Sequence, residues 1–335
     1  MRILFTGFDG FIGKSVTQKI INEKKEVESM FFIEKDYMNY EFWETSLDRS
    51  VIDCDVVVHM GAITDTMFKD CNEMLKYNFE FSKVLFDLAA SYQKKVIYSS
   101  SAANTGIEGL PSNIYGWSKY ITEKYGMVKV EDFIALRYFN VYGPGEEHKG
   151  KMASVAYQAH SLKKFMLFPD NPKRDFVYIN DVVDATIYPI FNSVPKGIYE
   201  VGSGEARTFE DVLDLMEVSY EYKDKKEIPE GYQFFTEAKK NSFMEGWKPK
   251  YNLEKGIEDY KKYMAKVLKR NAEKFSLVTD LDDAAQMAEL ALRPLFIGAN
   301  GQSISYPIKT KSGEKLDFTY ELAVEIMAKI ILKTL

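Results

Sequence analysis

An α/β fold built on a doubly wound parallel sheet is expected from three features of the sequence. Short apolar runs recur from the first residues onward, stretches of helical periodicity separate them, and a glycine turn joins the first run to the first helix. Parallel strands need long crossovers, usually helical, and in such sheets ligands bind at the carboxyl ends of the strands.

Residues 2–6 form the first run, Gly7, Gly10 and Gly13 follow, and 14–25 carries apolar Val16, Ile20 and Ile21 at helical spacing. Strand, glycine turn and helix make a dinucleotide-binding start: glycines let the backbone approach a pyrophosphate, whose charge the helix N-terminus favours. Gly7, Phe8, Asp9, Gly10, Phe11, Ile12 and Gly13 are therefore candidate cofactor contacts. A second strand, 30–33, leads to Glu34, roughly 20 residues past the last glycine, where a carboxylate can accept from a ribose hydroxyl. Lys35 beside it can tolerate a 2′-phosphate, so NAD and NADP both stay open as cofactors.

Residues 56–59 and 95–98 are β-branched runs of the kind buried in parallel sheets, and 133–139 supplies another strand. Between the first two, 74–92 has helical periodicity through Leu75, Phe79, Val84, Leu85 and Leu88. Gly61, Ala62, Ser101 and Asn140 fall at strand ends, where a ligand is expected, and His59 is read as a packing residue.

The alternation loosens beyond 150. A strand is expected over 173–179, a helix over 182–191 capped by Asp181 with Asp184 on its surface, and a strand over 197–202. A helix over 208–218 is capped at Thr208 or its neighbour, 229–249 is loop, and 253–268 is a closing amphipathic helix. From about Lys269 the character changes to a helix candidate at 282–292, a hairpin pairing 304–310 with 315–320, and a final helix at 321–335. The expected organisation is a dinucleotide-binding domain over 1–150 with a return at 176–195, a smaller α/β substrate-binding region over 151–266, and an appended α+β tail over 267–335.

Composition narrows the class. The chain has 335 residues, 46% hydrophobic, with a net charge of -6 and no Lys/Arg block, which argues against a nucleic-acid surface. Two cysteines and three histidines show neither disulfide nor metal-ligand spacing. No signal-peptide core and no apolar run of about 18 residues is present, so a cytoplasmic protein without membrane insertion is expected.

Tyr115 and Lys119 lie four apart in a stretch that, if helical, puts them on one face. A phenol titrates near pH ~10, and an ammonium nearby draws that value down, which makes a base of the tyrosine.

Together, TGFDGFIG at 6–13, HMGA at 59–62, YSSSAA at 98–103, YGWSK at 115–119, RYFNVYGPGEEHKGKMASVAYQ at 137–158, KRDFVYINDVVDA at 173–185 and GYQFFTEA at 231–238 resemble the extended short-chain dehydrogenase/reductase family of nucleotide-sugar epimerases and dehydratases. The resemblance covers residues 1 to about 266, is strongest to the family's heptose 6-epimerase branch, and implies a Rossmann-type fold. It also implies tightly held NAD or NADP, a nucleotide-diphosphate sugar as substrate, and a homo-oligomer. It assigns catalysis to Ser101, Tyr115 and Lys119, with Lys149 of the HKG element as a second acid/base. It further implies Asn140, His148, Arg174 and Tyr232 as substrate contacts, Arg174 through the diphosphate. Ala102 and Ala103 stand where the dehydratases carry an acidic pair, which favours epimerisation. The 34–56 and 101–115 segments are shorter than in the family, and the tail has no counterpart in it.

Overall fold

A computed structural model of the protein describes residues 1–23, 26–33, 46–106, 109–161, 164–229, 232–275, 306–309 and 315–318. The chain divides into two compact units, Met1–Lys261 and Lys262–Leu335.

The first unit is built on a six-stranded sheet. Its strands are β1 (Arg2–Thr6), β2 (Ser29–Ile33), β3 (Val56–His59), β4 (Lys95–Ser101), β5 (Phe133–Tyr138) and β9 (Gly197–Val201), in the order β2-β1-β3-β4-β5-β9 and parallel throughout. Two outward turns from β1, first to β2 and then through β3, make the sheet doubly wound, as the alternation of runs predicts. The apolar runs are buried because helices cover both faces. Leu4, Val57, Val96, Phe133 and Ala135 pack on one face with Phe81, Leu85 and Phe86 of the helix Phe81–Ser91. Beyond β2, residues 34–45, with the expected cofactor contacts Glu34 and Lys35, lie outside the described residues.

The return to this sheet consists of the helix Ile179–Phe191, which packs against the first helix Phe11–Asn22, and of β9, so the chain rejoins the sheet past residue 195. Asp181 does not cap that helix. The helix starts two residues earlier, and the Asp181 carboxylate accepts from the backbone N–H of Lys250 and Tyr251 at 2.9 and 3.0 Å, which gives a buried carboxylate two donors. Nor is Asp184 a free surface group: it pairs with Lys19 of the first helix and with Lys250 at 2.7 Å. Thr208 does cap the next helix, Phe209–Met216, in a reciprocal capping box with Asp211.

The smaller elements sit in two further sheets. β8 (Lys173–Tyr178) pairs with β6 (Asn140–Tyr142) and with β10 (Ala206–Thr208), and β7 (Lys164–Leu167) pairs with β11 (Ser219–Tyr222). The closing helix runs Leu253–Phe275, longer than 253–268. In the second unit, Tyr306–Lys309 and Lys315–Phe318 pair antiparallel as the hairpin signal requires, while the two helices expected at 282–292 and 321–335 lie outside the described residues. Among the described residues no helix is long and apolar enough to cross a membrane.

Candidate active site

A cavity of about 560 Å³ opens at the carboxyl ends of β1, β3, β4 and β5. Its floor is the glycine turn. A side chain at Gly7, whose φ is +67°, would put its Cβ 2.5 Å from the Gly61 nitrogen, and one at Gly13 would meet the Gly7 carbonyl oxygen at 2.1 Å. Bare backbone is therefore required at both positions, one for the tight turn and one for close approach of helix to strand. No side chain caps the helix that begins at Phe11, so the donors of its first turn have no side-chain acceptor. Such a cradle fits a dinucleotide pyrophosphate.

Asp9, Phe11, Ile12, Gly61 and Ala62 line the same cavity. Phe8 does not; its ring packs at 4.5 Å on Phe32 and anchors the turn to β2. The Thr6 hydroxyl holds the far side, accepting from the N–H of Gly61 at 2.9 Å and bonding His59 Nδ1 at 2.6 Å. His59 is fully buried, also bonds Ser82 at 2.7 Å, and has its pKa pulled down to about 3 by burial and by the Lys119 charge. It is a packing residue, as expected.

The two hydroxyls expected to be catalytic come from two elements. Ser101 is the last residue of β4, and Tyr115 stands in the first turn of the helix Ile114–Lys129, whose start is capped by Asn113 through the Gly116 N–H at 2.7 Å. Both line the cavity, and the Ser101 oxygen, which accepts from the Ala103 N–H at 3.2 Å, lies near enough to act on the phenol. The expectation that Lys119 draws the Tyr115 pKa down is not met. Burial raises the phenol and the Ser101 hydroxyl lowers it, while the Lys119 ammonium lies 4.4 Å from the centroid of the Tyr98 ring. Lys119 is itself 2% exposed, and burial brings its pKa down to about 7 against the opposing pull of Glu123.

His148 and Lys149 reach the cavity from the loop after β6. Burial lowers the Lys149 pKa and the Glu146 charge raises it. Three expected substrate contacts are not among the cavity lining. Asn140 is exposed at the start of β6, and Arg174 sits with its guanidinium 5.2 Å from the Tyr232 ring and 5.6 Å from the Phe209 ring. Arg174 is largely buried, which lowers its pKa, and it donates to the Lys173 carbonyl at 2.9 Å.

Other lining residues, among them Thr64, Asp65, Tyr77, Ser99 and Tyr138, escape motif reasoning. Tyr77 and Asn78 belong to a single π turn, Lys76–Glu80, inside a run of helix, and the sequence has no cue for it. Asn78 accepts from the Ile63 N–H at 2.7 Å and donates to the Ser118 hydroxyl at 2.9 Å, tying the loop after β3 to the helix that carries Tyr115.

Residues 3–202 match the family model described as NAD dependent epimerase/dehydratase family. The chain belongs to that family. It is accordingly an NAD-dependent enzyme, and the glycine turn and cavity are where such a cofactor fits. Among curated relatives of this epimerase-family chain, the ADP-L-glycero-D-manno-heptose-6-epimerase of Fusobacterium nucleatum is 31% identical, over 79% of this chain and 98% of its own length. The enzyme of the same name from Nitratidesulfovibrio vulgaris is 30% identical, over 78% and 98%. The crystal structure of the Helicobacter pylori ADP-L-glycero-D-manno-heptose-6-epimerase is similar with a TM-score of 0.66 and 26% identity, covering 79% of this chain and 96% of that one. A UDP-glucose 4-epimerase from Thermotoga maritima, 24% identical, shares the fold with a TM-score of 0.67 over 80% of this chain and 100% of that one. About a fifth of this chain thus has no counterpart in the curated relatives.

Proposed function

We propose that the enzyme inverts a carbinol carbon of a nucleotide-diphosphate sugar, with an ADP-activated heptose inverted at C6 as the substrate. The observation that carries the reading is one cavity lined both by the glycine turn and by Ser101, Tyr115, His148 and Lys149. The curated relatives, matched over nearly their whole length, support the choice of sugar.

Ser101 holds the reacting oxygen and Tyr115 takes its proton, because the two hydroxyls line the same cavity and lie near enough for one to lower the pKa of the other. Lys119, one turn further along the same helix, contributes a charge that burial has brought to the edge of neutrality. When bound, NAD supplies a reversible acceptor for the hydride of the same carbon and is restored at the end of each turnover. Lys149, in the same cavity lining, returns a proton to the oxygen after the sugar has turned over, so the composition of the sugar is unchanged, and proton exchange with water resets Tyr115 and Lys149. Its lowered pKa suits exchange closer to neutral pH. Arg174, beside Tyr232, offers a planar cation to the diphosphate.

The test is incubation of the protein with ADP-, GDP-, UDP- and dTDP-sugars, followed by proton NMR of the sugar stereocentres. Inversion of ADP-heptose at C6 is expected. Inversion of another sugar in its place overturns the substrate, and inversion of none overturns the reaction.

A further inference from the structure

Directly behind Ser101 lies a carboxylate that the reaction itself does not use. Glu123 is fully buried. Its Oε2 accepts from the Ser100 hydroxyl at 2.7 Å, from Asn104 Nδ2 at 3.1 Å and from Arg137 Nε at 2.8 Å, and its Oε1 accepts from the second Arg137 nitrogen at 2.6 Å. Asn104 also donates to Ser100 at 3.0 Å. Ser100 and Asn104 flank Ser101 in the chain, and Ser100 is the register partner of Arg137 across β4 and β5. Glu123 stands one helical turn after Lys119 and two after Tyr115.

We infer that Glu123 is a positioning residue, a single buried carboxylate that ties the strand end carrying Ser101 to the helix carrying Tyr115 and Lys119. A buried ion pair is weak evidence for stability, since well-packed apolar side chains serve a core as well or better. Its placement matters more: the four donors come from both sides of Ser101 and from the adjoining strand, so any shift between sheet and helix breaks charge-assisted bonds. The same carboxylate acts on Lys119. The groups that act on that ammonium are the Tyr98 ring on β4, neutral His59 on β3 and Glu123 one turn later on the same helix. Burial lowers the Lys119 pKa to about 7, and Glu123 is the group that opposes the fall.

The inference rests on the catalytic reading of Ser101, Tyr115 and Lys119, and its test separates the two. The full-length chain is labelled with ε-13C lysine, Lys119 is assigned with Lys119→Met, and its titration is followed by NMR, a readout that needs no turnover. Glu123→Gln leaves the Arg137 guanidinium without its carboxylate, so Glu123→Gln/Arg137→Gln, which removes both charges, is measured alongside it. In a folded variant Lys119 is expected to titrate about one pH unit lower, the range for loss of a close opposite charge. kcat is expected to fall about tenfold with KM for the sugar little changed, the pattern of lost transition-state geometry. Ser100→Ala, which keeps the ion pair and removes only the strand-end bond, is expected to lower kcat about threefold, the loss of roughly one neutral hydrogen bond's worth of alignment.

A folded variant with the wild-type Lys119 titration and unchanged kcat overturns the inference. If neither glutamate variant folds, wild-type kcat in Ser100→Ala overturns it as well, and a lowered kcat there supports it. If the wild-type protein inverts no sugar, the catalytic reading fails, while the Lys119 titration still decides whether Glu123 sets that charge.

Discussion

The Lys149 ammonium stands 5.2 Å from the centroid of the Phe11 ring. Lys149 comes from the loop after β6 and Phe11 opens the helix behind the glycine turn, so the proposed second acid/base rests on the element that cradles the cofactor. An ammonium over an aromatic face gains roughly 0.5–2 kcal/mol, depending on how far it is desolvated. Phe11→Leu keeps the apolar bulk and removes that face. Steady-state kinetics are expected to show kcat reduced about three- to tenfold with the NAD dissociation constant within about threefold of wild type, on that energy scale.

The glycines of the turn are not equivalent. A Cβ at Gly13 would lie 2.1 Å from the Gly7 oxygen and 2.8 Å from the Phe8 Cα, whereas one at Gly10 meets nothing closer than 3.4 Å. Calorimetric titration with NAD is expected to show no binding to Gly13→Ala, and binding within about tenfold of wild type for Gly10→Ala, since the latter is an ordinary contact.

Neutral His59 makes acid a stress on the fold. Its folded pKa of about 3 lies below the ordinary value of 6.5, so the stability it contributes is complete above pH 6.5 and is lost as pH falls toward 3. Between pH 6.5 and 4.5 this amounts to roughly 2–3 kcal/mol. Urea unfolding of His59→Gln is expected to start from a lower stability at pH 7 and to lack that part of the slope.

Much of this architecture can be read in the residues. The strands and the glycine turn are legible because parallel strands between covering helices are short apolar runs and because only glycine fits at 7 and 13. Thr208 is legible as a cap because its partner Asp211 lies three residues on. The Asp181 and Asp184 readings failed for the opposite reason: their partners, at 250–251 and at Lys19, are remote in sequence. Lys119 does not lower the Tyr115 pKa as expected, because helical spacing fixes which face a side chain leaves from, while burial and the Tyr98 ring decide where its ammonium rests. Glu123, Arg137, Ser100 and Asn104 come from four elements, and no local pattern joins them.

The loop that carries Lys149 hangs on another buried carboxylate. Glu146 accepts from the N–H of Gly143 at 3.1 Å, the N–H and hydroxyl of Ser154 at 2.6 and 2.7 Å, and the Tyr260 hydroxyl at 3.1 Å. Glu146→Ala strands these donors away from water and is expected to destabilise the fold by about 3 kcal/mol in urea unfolding, against about 1 kcal/mol for Tyr260→Phe, which removes one of them.

In the proposed reaction, Tyr115 takes the proton from the carbon's hydroxyl during inversion. The most direct test of this step is the rate at which wild type and Tyr115→Phe invert ADP-heptose at C6, followed by proton NMR with NAD bound to both. A loss of at least about a thousandfold in the variant, with NAD affinity retained, is predicted for removal of the proton acceptor. Equal rates for the two proteins would contradict the account.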